Sequence, residues 1–159
     1  EDAVASLRNG YSIPGGKAQL TEAVTCVPLL VRWPGKTEAG TTNTDLVDAT
    51  DFYPTLVEVA GGKLPADVYI DGRSFADALQ GNTDNARKWV YVEYKDRWFI
   101  RNHRWKLFSD GQAFDLKTDP YEQNPITVQA PAEIADSDLG VLVSEVAKLR
   151  NEKEALNQE

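Results

Sequence analysis

The chain has 159 residues, 42% of them apolar, and a formal net charge of −8 at pH 7. That size supports one ordinary domain or two small ones with a real core. The acidic balance argues against a nucleic-acid or anionic-membrane partner, because a phosphate surface attracts a basic face. No apolar run approaches the roughly 18 to 20 residues that a membrane-spanning helix needs, and the single cysteine, Cys26, leaves the redox compartment open.

In chain order, residues 1–7 can be read as the end of a helix, and Asn9-Gly10 is a turn signal. Gly15-Gly16 turns the chain again and presents one cation, Lys17. Read on their own these residues are a plain turn with a solvated lysine. A continuous apolar segment, 27–31, follows and is stopped by Trp33-Pro34-Gly35, the pattern of a strand buried on both faces. Residues 36–44 are a polar loop. Residues 51–60 predict a helix: Asp51 can accept hydrogen bonds from its first free N–H groups, Pro54 falls in its first turn, and Gly61-Gly62 supplies a left-handed stop. Leu64-Pro65 starts an extended connection to Ile70-Asp71-Gly72. Ser74 then caps a short helix that ends before Gly81, with Asp77 as its capping partner.

Residues 81–85 are polar and mark the expected boundary between two subdomains. Beyond them the period changes. Segments 89–94, 97–101, 104–108 and 113–116 are short and aromatic-rich, separated by Lys95-Asp96, Asn102-His103 and Asp110-Gly111. Such spacing predicts an antiparallel meander and leaves no room for the crossover helices that parallel strands require. Residues 125–131 read as a loop. Ser137 caps a last helix whose Leu139, Leu142, Val143, Val146 and Leu149 share one face, and a polar tail begins at Asn151.

Gly15-Gly16-Lys17, Glu22, Val27-Pro28 and Trp33-Pro34-Gly35 together resemble, in order and spacing, the C-terminal signature of the sulfatase family. The likeness continues to about Ile126. Asp51 to Leu56 resembles the family's Asp-aromatic-x-Pro-Thr-Leu helix, whose role is core packing, and Asp71-Gly72-Arg73-Ser74-Phe75 resembles a further element. Trp105-Lys106-Leu107, Phe114-Asp115-Leu116, Asp119-Pro120 and Glu122 resemble the closing motif. Ala23-Val24 departs from the small pair that many relatives carry, and Cys26 stands where many have Arg.

The resemblance implies an α/β fold class: residues 1–84 as the end of an alkaline-phosphatase-like α/β catalytic domain, and 85–159 as a small antiparallel four-stranded sheet with a C-terminal helix. Sulfatases are several times longer, so the chain is expected to be a C-terminal part whose partner is the N-terminal part of the same enzyme. The implied substrate is a sulfated small molecule or sulfated glycan, and the implied location is periplasmic or secreted. The intact family uses calcium and a formylglycine nucleophile. Neither is expected within this chain, which is expected to be inactive alone.

Lys17 is the catalytic candidate, since the lysine of this turn binds the substrate's sulfate in the family. A fixed ammonium stabilises charge that builds on the sulfuryl and departing oxygens. Glu22 is expected to stabilise the loop. Cys26-Val27-Pro28 begins like the Cys/Ser-x-Pro-x-Arg motif that yields the nucleophile, but Leu30 stands where its Arg must be, so Cys26 reads as a small, partly buried apolar residue. His103 sits in a hairpin turn with no Ser or Cys partner in a recognisable arrangement. Calcium wants several oxygen ligands; Asp2 and Asn9 are separated, and the acidic stretch 119–122 reads as a solvated turn. Two rivals stay open: a binding module stacking ligands on Trp89, Trp98 and Trp105, and a fragment of a related phosphate-ester hydrolase. Exposed coplanar Trp rings would favour the module. A bare apolar face at 27–31 would favour the fragment of a larger enzyme.

Overall fold

Asn9 and Gly10 both adopt left-handed backbone, with φ of 50° and 83°. Two such residues in succession match the twist of hairpin strands. The chain accordingly folds back, and β1 (Ala5–Arg8) pairs antiparallel with β2 (Tyr11–Pro14), Arg8 opposite Tyr11. The structure, a computed structural model, describes residues 5–14, 16–82, 86–128 and 137–156. It corrects the helix end expected at 1–7: the described part of that stretch is strand. Two compact units are present, one formed by residues 1–28 with 91–159 and the other by 29–90. The boundary expected at 84/85 lies outside the described residues.

In the first unit the aromatic-rich segments form the expected meander. Strands β3 (Val90–Tyr94), β4 (Arg97–Arg101), β5 (Trp105–Phe108) and β6 (Gln112–Asp115) follow one another in a single sheet. A fifth, two-residue strand, β7 (Ile126–Thr127), adds to the edge within what reads as a loop in the sequence. The turns are made by local chemistry. Asn102 accepts the N–H groups of Arg104 and Trp105 at 2.8 and 2.6 Å, and Asp110 accepts that of Gln112 at 3.0 Å beside left-handed Gly111.

Residues directly opposite in an antiparallel pair share a face. Phe99 opposite Phe108, and Lys106 opposite both Arg101 and Phe114, therefore define one side of the sheet, while Ile100, Leu107 and Ala113 define the other. Helix α3 (Asp138–Leu156) lies on the second side, where Arg150 sits over the Trp98 ring and Lys153 pairs with Glu93. Ser137 caps it through the N–H of Gly140 at 3.1 Å. Leu139, Leu142 and Val146 are buried, as their spacing predicts. The helix runs past Asn151 to Leu156, so the polar tail is helical over its described part.

Residues 27–31 form no strand. Val27 is 72% and Leu30 93% exposed. A strand buried on both faces needs neighbours to pair its backbone and cover its side chains, and no described segment does so.

In the second unit, helix α2 (Phe52–Val59) is preceded by one 3-10 turn, Ala49–Asp51. The cap is Asp48 rather than Asp51: Asp48 accepts the Thr50 N–H, and Asp51 reciprocates by accepting the Asp48 N–H. Asp51 itself is buried. It pairs with the Arg87 guanidinium and accepts the Arg73 N–H at 2.7 Å. Gly72 passes so close that a Cβ there would lie 2.0 Å from the Thr50 carbonyl oxygen, so only glycine fits. Gly61, at φ 71°, ends the helix with the Gly62 N–H donating to Val57 O. Within residues 51–56 the expected core role holds for Asp51, Pro54 and Thr55. Tyr53 and Leu56 are exposed, with no described layer over them, and Phe52, 40% exposed, meets the Phe75 ring edge-on. The expected Ser74 helix reduces to a bend, where Ser74 Oγ accepts the Ala76 N–H, and a 3-10 turn, Ala78–Gln80, that ends at left-handed Gly81; Asp77 makes no side-chain capping bond to that turn.

Burial pushes the Asp51 carboxyl up. The Arg87 guanidinium and the N–H groups of Arg73 and Asp48 outweigh this and hold it below its ordinary value. A carboxylate depressed by folding adds stability above its unfolded pKa, and that contribution disappears as pH falls through the folded value. The gap in urea midpoint between the native chain and Asp51→Asn is therefore expected to be widest near neutrality and to narrow below about pH 4. A gap independent of pH would show that the charge of Asp51 contributes nothing.

Candidate functional site

Lys17 lies in a tight turn closed by the Gln19 N–H on Gly16 O at 3.3 Å. Its side chain is exposed, with no hydrogen bond or ion pair among the described residues. Ala18 follows at φ 68°, a conformation that non-glycine residues seldom hold unless their surroundings impose it.

Those surroundings are the charged side of the sheet. Arg97 donates to Ala18 O at 3.2 Å. Two residues on, the Lys106 ammonium donates to Leu20 O at 2.7 Å. Helix α1 (Glu22–Thr25) then starts on Glu22, whose N–H donates to Glu122 at 2.8 Å. The Glu22 carboxylate meets Lys106 at 3.0 Å through one oxygen and the Arg101 guanidinium through the other. Glu122 meets Lys106 at 2.9 Å. Two carboxylates and two cations thus balance in a nearly dry cluster. The Lys106 side chain is 0% exposed, its ammonium 4.1 Å from the Phe99 ring centroid and 5.0 Å from that of Phe108.

The cluster gives the expected loop-stabilising role of Glu22 its physical content, and it corrects the reading of 119–122. Asp119 does close a turn, accepting the N–H groups of Gln123 and Asn124. Glu122, however, has a side chain only 5% exposed and belongs to the cluster. Lys106 and Arg101 were not legible as its partners. The available signal was a lone cation amid the apolar residues of β5, which demands a buried anion.

The other candidates are dispersed. Cys26 is exposed rather than partly buried, since no described segment packs over the end of α1. His103 is exposed in the turn between β4 and β5. Trp98 packs against Tyr91 and beneath Arg150, and Trp105 lies beneath Arg104, so these rings are not bare platforms. Among the described residues no three His, Cys, Asp or Glu side chains converge as metal ligands, and Asn9 gives its amide to Tyr121.

The turn that carries Lys17 also opens a family match. Residues 16–150 match the model described as "N-sulphoglucosamine sulphohydrolase, C-terminal". The chain is 40% identical to the ulvan-active sulfatase of Formosa agariphila over 48% of its own length and 15% of that relative. It is 28% identical to human steryl-sulfatase over 71% of the chain and 26% of the relative. With the N-acetylglucosamine-6-O-sulfatase of Bacteroides thetaiotaomicron it shares 29% identity over 77% of the chain and 25% of the relative. In each case the chain covers about a quarter or less of the relative's length. The match spans the turn, the ion cluster and the meander, and the chain belongs to the sulfatases as sequence from their C-terminal portion.

Proposed function

We propose that the protein carrying this chain hydrolyses sulfate esters and that Lys17 binds the sulfate group of the substrate. The family match over residues 16–150 carries this reading. An exposed lysine without an ionic partner among the described residues, on a turn anchored from several sides, is suited to meet an anion. On this reading Lys17 neutralises charge on the sulfuryl oxygens as the ester bond breaks. Residues 1–84 close an alkaline-phosphatase-like α/β domain, and 85–159 form its sheet-and-helix subdomain. The rest of the protein covers Val27, Leu30 and the bare side of α2, apolar surface that in water would invite association. A sulfated small molecule or glycan is the substrate class.

Among the described residues neither the family's calcium nor its formylglycine has a matching set of groups. Its described residues present no converging ligand set, and Leu30 replaces the arginine that the nucleophile motif needs after Cys26. On this reading both are supplied by sequence outside this chain.

The test is turnover of para-nitrophenyl sulfate and para-nitrophenyl phosphate by the full-length protein and by this chain alone. Sulfate hydrolysis by the full-length protein only is expected. Faster phosphate turnover would favour a phosphate-ester hydrolase, and turnover by the chain alone would place the nucleophile within it.

A further inference from the structure

The Lys17 turn has little apolar anchoring of its own. Between Ala18 and Glu22, Leu20 is the one buried apolar side chain. Polar links hold the rest: Arg97 to Ala18 O, Lys106 to Leu20 O, Glu122 to the Glu22 N–H, and Arg101 with Lys106 on the Glu22 carboxylate. A buried ion cluster of this kind is a poor device for stability, because well-packed apolar residues of similar volume often do as well or better. What it provides is geometry. Lys106 reaches the chain three residues past Lys17 with its ammonium already fixed by two carboxylates and two aromatic rings. The left-handed Ala18 between them is the conformation that sets where Lys17 leaves the backbone.

We infer that Glu22, Lys106 and Glu122 are positioning residues for Lys17, a clamp by which the C-terminal sheet aims the turn. The inference rests on the reading that Lys17 binds the sulfate group. None of the three touches substrate; each acts through the backbone of residues 18–22. Small misplacements of an aligned group are costly, so loss of the clamp shows in turnover as well as in stability.

A double-mutant cycle in the full-length enzyme tests this, with para-nitrophenyl sulfate as probe and all variants assayed well below their unfolding temperatures. Glu22→Gln is expected to lower kcat/KM by about 10- to 100-fold when Lys17 is present, and by less than about twofold in a Lys17→Ala background. The loss in urea midpoint from Glu22→Gln is expected to be the same in both backgrounds, because Lys17 is exposed and unpaired among the described residues. Coupling in activity without coupling in stability is what a merely structural cluster would not produce. Equal activity losses in the two backgrounds, or none in either, would overturn the clamp while leaving the Lys17 reading intact. A Lys17→Ala enzyme of full activity would overturn that reading, and the clamp with it. If Glu22→Gln does not accumulate as folded protein, Glu122→Gln, which removes the charge that receives the Glu22 N–H, takes its place in the same cycle with the same expectations.

Discussion

Replacing Lys106 with alanine is expected to lower the stability of this chain by about 3–5 kcal/mol, the cost of stripping a buried ion cluster of one partner. Its side chain is 0% exposed and meets Glu22 and Glu122 at 3.0 and 2.9 Å, so both carboxylates would be left in a dry site with Arg101 alone to answer them. For a chain of this size that corresponds to a fall in Tm of roughly 10 °C. Lys106→Met separates charge from packing. It keeps the unbranched stem near Phe99 and Phe108 but removes the ammonium. Urea denaturation should find it nearly as damaging as alanine. A methionine variant within about 1 kcal/mol of the native chain would mean that the ion pairs add little and the methylene packing accounts for the loss.

Lys17→Ala should behave in the opposite way. The side chain is exposed and unpaired among the described residues, so stability should stay within about 0.5 kcal/mol of native. In the full-length enzyme, kcat/KM on para-nitrophenyl sulfate should fall by about 10²- to 10³-fold, the usual effect of removing one preorganised electrostatic contact. The environment decides that size. A charge pair about 4 Å apart is worth only about 1 kcal/mol in water and several times more where water is excluded. The expectation therefore includes that the rest of the enzyme excludes water from around Lys17. Lys17→Arg restores the charge with a planar fork in place of a compact ammonium and should recover only part of the activity. A loss of less than about fivefold in Lys17→Ala would remove this lysine from the sulfate site.

Much of the first unit could be read directly. Asn9-Gly10 marks its own turn, although the stretch before it reads as a helix end and is a strand; Asn102 and Asp110 build the turns of the meander, and Ser137 with Leu139, Leu142 and Val146 defines a capped amphipathic helix. In each case the cause and the structure lie within a few residues of one another. The misreadings share the opposite feature. The capping role expected of Asp51 falls to Asp48, because Asp51 is claimed by Arg87 and Arg73 from distant segments. Glu122 looks like part of a solvated acidic turn until Lys106 arrives beneath it.

By itself the sequence determined the meander with its turns, the last helix and the family, since caps, turn residues and apolar periodicity act over short spans and the resemblance is carried by short motifs. Only the tertiary structure decided which charges meet. Glu22 and Lys106 are 84 residues apart in sequence, and no short-range rule selects one acid and one base from the many in the chain. Burial selects them: once the sheet folds, a lysine on its inner side must find carboxylates, and the chain beside Lys17 is where they converge. The same physics explains residues 27–31. An apolar run becomes a strand only where neighbours complete its hydrogen bonds, and among the described residues none does.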